Sequence, residues 1–157
     1  MTEADAGAGI FTAQETLDHW RGHRAVTRRT IERFPDEHLF SFTPAPPLRP
    51  FGEMMLEVIR MIPPSLQGIE TGDWNFQLAD MSGVQDKAAL LQAWDEADAF
   101  IEARWAHLTR EPLRGVVPPL PHLRAVPYLV DNEIHHRAQG FIYLRLLGVE
   151  PPAFFER

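Results

Sequence analysis

The sequence predicts an all-α protein, folded as a four-helix bundle. Its 157 residues are the length of one domain, and groups of prolines divide them into four long segments. Within each segment apolar residues recur every three or four positions, which is the spacing of one helix face. Alternating β-branched runs, which would indicate strands, are absent from the sequence. We therefore expect a single domain over residues 1–157, with residues 1–11 flexible.

The first two predicted helices are separated by a proline-rich connection. The first covers residues 12–34, and Thr12 with Glu15 forms a capping box at its start. The second covers residues 51–62. It is expected to end at Pro63–Pro64, because proline has no amide hydrogen to donate and its ring clashes with the preceding turn.

A long loop over residues 67–85 is predicted to follow, before two further helices. The third helix covers residues 86–109, and the fourth covers residues 123–147. Gly148 is expected to end the fourth helix, because glycine is common just after a helix. Pro127 is expected to kink or delay its start.

Composition argues against several classes of function. The formal net charge of −7 disfavours binding to phosphate backbones. The chain has no cysteine, which excludes disulfides, thiolate metal sites and a cysteine nucleophile. No apolar run approaches the roughly 20 residues that span a membrane, and the N-terminus does not resemble a secretion signal. We expect a cytoplasmic protein that binds a small molecule, with no nucleic acid and no membrane as partner.

The most informative segment lies in the middle of the fourth predicted helix. Residues three or four apart share a helix face, so Asn132 and Glu133 both pair with His136. Asp131 and His135 form a second pair, rotated by about 100° from the first. Either pair can offer oxygen and imidazole to one cation, which leaves open whether His135 or His136 faces inward. Solvated histidines on a polar face are the alternative.

Glu57 is the second candidate, because it lies within the apolar stripe of the second helix. A buried carboxylate without a partner is strongly unfavourable, so it needs a cation, an arginine or a proton. A position at the rim of the bundle, where the side chain reaches water, is equally compatible with the pattern.

Two segments resemble a known family. The run from Asn132 to Gln139, followed by residues 143–152, resembles the C-terminal signature of the DinB-like (YfiT-like) metalloenzyme superfamily. That signature reads H-x-x-H-H-R-G-Q, then Y-L-R, then G and P-P. The run over residues 51–57 resembles the family's G-E-L-x-x-H segment. The resemblance implies a four-helix bundle of the DinB/YfiT-like type.

The resemblance also implies a metal site in the bundle, with one ligand from the second helix and two from the fourth. Carried over to this sequence, those positions are Glu57, Asn132 and His136. A carboxylate, an amide and one imidazole form a harder set than three imidazoles, which favours manganese, iron or magnesium over zinc or nickel. A polar pocket without metal, in which Glu57 bonds to Asn132 and His136, is the alternative.

Relatives with known activity transfer low-molecular-weight thiols to electrophiles. The resemblance therefore implies a metal-dependent enzyme that transfers a thiol to, or hydrolyses, a small electrophile. Glu133 or His135 would relay protons. The substrate pocket would be lined by Trp74, Gly140 and Tyr143. A metal-free small-ligand-binding protein and a stress-response dimer are the two alternatives, and a homodimer is compatible with all three hypotheses.

Overall fold

Four long helices and one short helix make up the fold. The computed structural model describes residues 11–108, 116–118, 120 and 124–157. The helices are α1 (Ala13–Arg33), α2 (Asp36–Leu39), α3 (Phe51–Thr71), α4 (Lys87–Trp105) and α5 (Ala125–Leu146). The described residues contain no strand, and the predicted all-α bundle is therefore confirmed. The sequence does not predict α2.

Three predictions concern residues that lie wholly or mostly outside the described ranges. They are the flexibility of residues 1–11, of which only Phe11 is described, the end of the third predicted helix at Thr109 and the start of the fourth at Leu123. α4 itself ends at Trp105, a few residues before the predicted end. Within the described residues, none of the helices is long and apolar enough to cross a membrane.

Local sequence signals set several helix ends. At the start of α1 the Thr12 hydroxyl accepts from the Glu15 amide at 3.1 Å, and the Glu15 carboxylate accepts from the Thr12 amide at 2.7 Å, which confirms the capping box. Asp86 caps α4 in a similar way, accepting from the Ala89 amide at 2.8 Å. Gly148 follows the end of α5 with a φ of 76°, a conformation that only glycine adopts readily.

The predicted end of the second helix at Pro63–Pro64 is wrong. α3 continues through both prolines and ends only at Gly72, whose φ is 76° and whose amide donates to the Gly68 carbonyl at 2.9 Å. The two prolines cost two backbone hydrogen bonds. Beyond them, however, Leu66 and Gly68 are buried, so continuing the helix removes apolar surface from water and offsets that loss.

α5 is the central element for the site, because it packs against both α1 and α3. α4 likewise packs against α1 and α3, which closes the bundle. The largest fully buried side chains come from all four long helices, and Phe34 stacks on Phe51 at 4.5 Å between ring centroids. One side of α5 therefore faces α3 and another faces α1, and each side carries polar residues into the bundle.

Replacing Pro63 with alanine should raise the free energy of unfolding by about 1–3 kcal/mol. Alanine restores an amide that donates to the Ile59 carbonyl, within a helix that the structure shows to be continuous. Denaturant unfolding followed by circular dichroism measures the change.

The matched control is Pro127→Ala. Pro127 is exposed and lies in the first turn of α5, where a backbone amide has no acceptor within the helix. Its replacement should change stability by less than about 0.5 kcal/mol. A Pro63→Ala protein no more stable than the wild type would contradict a continuous α3.

Candidate functional site

Glu57 of α3 and His136 of α5 meet inside the bundle. The Nε2 atom of His136 lies 3.2 Å from Oε1 of Glu57, and the imidazole is 8% exposed against 32% for the carboxylate. His135 is exposed, and its ring only touches the edge of the His136 ring, at 5.0 Å between centroids. His136 is therefore the histidine that faces inward.

The second oxygen of Glu57 is bound by an arginine that the sequence reasoning missed. Nη2 of Arg49 lies 2.6 Å from Oε2 of Glu57. Partial burial raises the pKa of the Glu57 carboxyl, but hydrogen bonds and charge from Arg49 and His136 outweigh it, so the pKa lies below its usual value. Glu57 is therefore an ionised carboxylate with both oxygens occupied.

The other nitrogen of the imidazole is held by Gln139. Nδ1 of His136 lies 2.9 Å from the Gln139 side-chain oxygen. With the amide in this orientation both ring nitrogens face oxygen atoms, which suits a doubly protonated ring. Turning the amide by 180° would present its NH₂ group to Nδ1 instead, and a neutral ring would then donate from Nε2 to Glu57.

Arg49 is itself positioned by Tyr143. The Tyr143 hydroxyl donates to the Arg49 carbonyl at 3.1 Å, and the tyrosine ring meets Phe42 edge-on. Burial raises the pKa of this phenol, although the charge of Arg49 opposes the rise. Tyr143, predicted to line the substrate pocket, is instead a buried support for the arginine.

These residues do not fit the family's metal site. The amide nitrogen of Asn132 lies 3.9 Å from the Met61 sulfur, and the guanidinium of Arg49 binds Oε2, one of the two Glu57 oxygens. Throughout the described part of the chain, no group of three histidine, cysteine or acidic side chains is placed to hold a metal ion. Glu57, Asn132 and His136 as metal ligands stay a prediction.

A groove of about 620 Å³ opens beside Glu57 along α3. Its charged lining consists of Arg49, Glu53, Glu57 and Arg60. Its apolar lining consists of Leu56, Met61, Phe76 and Leu78. The last two come from the loop after α3, and no periodicity marked them in the sequence.

Two of the predicted pocket residues lie elsewhere. Trp74 is not in the groove, because its ring packs over Gly68, where an added Cβ would lie 2.3 Å from the indole. Gly140 does not leave space beside His136, because the Phe51 ring fills that space, 2.4 Å from where a Cβ would be. The space expected beside Gly140 is therefore filled by Phe51, and Trp74 packs on α3; a role for either residue in binding substrate stays a prediction.

Glu133 does not join the Glu57–His136 pair. It is fully buried on the side of α5 that faces α1, where Thr27 donates to one oxygen at 2.6 Å and Trp20 to the other at 3.4 Å. Arg24 lies 3.6 Å away. Burial raises the pKa of Glu133, while these partners oppose the rise. Glu133 thus faces α1 rather than Glu57, and His135 is exposed; proton relay by either residue stays a prediction.

The cluster around Glu133 extends to His23 and Arg137, which are also buried. Arg137 donates to the His23 carbonyl at 2.9 Å and to Thr27 at 3.1 Å, and it lies 3.0 Å from Nδ1 of His23. Burial, with Arg137, Arg157 and His19 nearby, lowers the pKa of His23 to about 4. The neutral imidazole thus accepts a hydrogen bond from Arg137.

Comparison with protein families matches the DinB family over residues 8–157. The match covers nearly the whole chain, so the family that the C-terminal motif predicted is confirmed. A comparison with curated proteins gives no significant match.

Gly140→Ala should lower the free energy of unfolding by about 1–3 kcal/mol, because the new methyl group overlaps the Phe51 ring in a packed core. Gly83→Ala is the matched control, since nothing lies within 4 Å of its added Cβ. Thermal and denaturant unfolding of both variants make the comparison. Equal stabilities would contradict the close packing of α5 on Phe51.

His23 should make the protein less stable in acid. Its folded pKa of about 4 lies below the ordinary 6.5, so the unfolded chain binds more protons between these values, and stability falls as the pH drops from 6.5 to 4. The full effect of a pKa difference of about 2.5 is on the order of 3 kcal/mol.

His23→Asn keeps an acceptor for Arg137 but does not titrate. The free energy of unfolding of the wild type minus that of this variant should therefore become smaller as the pH falls from 6.5 to 4. His135→Asn, at an exposed position, is the control and should leave the wild-type profile unchanged. A His23→Asn difference independent of pH would show that His23 is not held neutral by the fold.

Proposed function

This chain belongs to the DinB family, and we propose that it binds a small molecule in the groove beside Glu57 without a divalent metal. The observation that supports this proposal is the ion pair of 2.6 Å between Arg49 and Glu57. This ion pair places the permanent positive charge of Arg49 beside the carboxylate that the family resemblance assigns as a metal ligand.

Electrostatics favour Arg49 over a metal ion at this carboxylate. A cation bound to Glu57 would lie within a few ångströms of the guanidinium, and two like charges that close repel strongly in a partly buried site. Glu57 is already stabilised as an anion by Arg49 and His136. The arginine therefore provides the charge compensation for which a cation would otherwise be needed.

The side chains at the three ligand positions also favour a site without metal. The resemblance places histidines at three positions, and here they are Glu57, Asn132 and His136, which leaves one imidazole. That imidazole is bonded to Glu57 and Gln139. His136 does not line the groove itself, so it acts on a ligand through Glu57, whose charge and orientation it holds.

Elemental analysis of untagged protein, purified without chelators, tests the proposal. We expect well below one equivalent of manganese, iron, zinc or nickel. We also expect each ion, added in turn, to leave the melting temperature unchanged. Bound metal near one equivalent that is lost in both Glu57→Ala and His136→Ala would overturn the proposal and support the metal-dependent transferase or hydrolase that the resemblance implies.

Arg49→Ala sharpens this test, because it removes the competing charge from Glu57. If Arg49 is what keeps a cation away, the variant should bind manganese or zinc more tightly than the wild type. Arg104→Ala is the matched control: Arg104 is equally exposed, at 46% against 45%, and pairs with Glu70 at 2.8 Å outside the groove. It should leave metal binding unchanged.

We include a homodimer in the proposal. Ile142 and Leu146, four residues apart on α5, are 58% and 60% exposed, and a second copy of the chain would cover them. A cytoplasmic location and a role in the stress response are proposed with it, on the family resemblance.

A further inference from the structure

We infer that the ligand of this groove is an amphipathic monocarboxylate, whose carboxylate is bound by Arg60 and whose apolar body covers Phe76 and Leu78. The inference rests on the groove being the binding site, as proposed above. It adds the chemical class of the ligand and the residues that select it.

Arg60 is a positive charge of the groove that no carboxylate of the described residues pairs with. It is half-buried on α3, three residues after Glu57, and no hydrogen bond or ion pair joins its guanidinium to another described residue. Its Nε atom is buried, so the terminal Nη nitrogens are the donors that a ligand in the groove can reach. An anionic ligand would give this guanidinium the charge partner that it lacks.

The chemistry of a guanidinium favours a carboxylate in that position. The two terminal Nη nitrogens present parallel N–H groups, which match the two oxygens of a carboxylate. Hydrogen bonds from Ser82 and, to a smaller extent, the charge of Arg60 lower the pKa of the Asp80 carboxyl. Asp80 is exposed, however, and its side chain accepts from the Ser82 amide at 2.9 Å. It therefore does not fill the place of a bound anion.

The charge balance favours one negative charge rather than two. Arg49 and Glu57 neutralise each other, which leaves Arg60 positive and Glu53 negative in the lining. Glu53 lies seven residues before Arg60, about 10 Å away along the helix axis. A single carboxylate at Arg60 is balanced, whereas a dianion or a second acidic group near Glu53 would be repelled.

The other residues that line the groove favour a ligand with an apolar part. Phe76 and Leu78 line the groove while 38% and 45% exposed, and Leu56 and Met61 of α3 complete an apolar wall. Covering these side chains removes apolar surface from water, which is the main source of affinity for the uncharged part of a ligand. A groove with one anion-binding arginine and an apolar wall fits a molecule with the same two parts.

Calorimetric titration with sodium octanoate tests the inference, with octylamine, octanol and octyl phosphate as comparison ligands of equal chain length. We expect octanoate to bind at one site, and the amine and the alcohol to bind at least about tenfold more weakly, since neither pairs with a guanidinium. Equal binding of octanol or octylamine would overturn the anion requirement. Tighter binding of octyl phosphate would overturn the carboxylate assignment.

Two variants locate the site. Arg60→Gln should weaken octanoate binding by about tenfold or more, and Phe76→Ala should weaken octanoate and octanol alike. Arg104→Gln and Phe154→Ala, at exposed positions outside the groove, are matched controls and should leave affinity unchanged. Phe76 is in an exposed loop, so this variant reports on the groove even if Arg60→Gln fails to fold. Octanoate binding that neither Arg60→Gln nor Phe76→Ala weakens would overturn the site.

The octanoate titration and the elemental analysis test separate claims, and either can fail without the other. Protein free of metal that also fails to bind octanoate would overturn the ligand class and leave metal-free binding standing. Octanoate binding that requires Arg60 would support the ligand class whatever the elemental analysis reports.

Discussion

The proposed function of this bundle depends on the carboxylate of Glu57. It extends from α3 into a partly buried site, where an isolated negative charge would be unfavourable. Arg49 binds one oxygen and His136 the other. Because protein groups already compensate the charge of this carboxylate, we propose that it forms part of the groove wall rather than a metal site, in contrast to the site that the family resemblance implies.

α5 supports this arrangement by carrying polar residues on two sides. His136 faces α3 and holds Glu57, while Glu133 and Arg137 face α1 and join a buried cluster with Thr27 and His23. The two clusters share one helix, so the rotation of α5 that places His136 against Glu57 also buries Glu133. Because a buried charge must be paired, the α1 cluster disfavours any rotation of α5 that would bring Glu133 to the groove.

The predicted and observed sites differ for reasons of packing. Spacing placed Asn132, Glu133 and His136 on neighbouring positions of one helix face, but it left open whether that face is buried and which neighbouring helix each residue would meet. Gly140 indicated free space, and Phe51 fills it. Arg49 lies in the proline-rich connection, where no periodicity marks a side chain as part of a site, and only the hydrogen bond from Tyr143 to its carbonyl shows how it is held.

The sequence alone determined what depends on neighbouring residues: the four long helices, the capping box at Thr12, the end of α5 at Gly148, and the family through its C-terminal motif. Each is a matter of local geometry or of a contiguous pattern. Only the tertiary structure decided that α3 continues through Pro63 and Pro64, because burial beyond the prolines outweighs two lost hydrogen bonds. It also decided which charges pair, because the energy of a buried ion pair depends on distances between groups that are far apart in the chain.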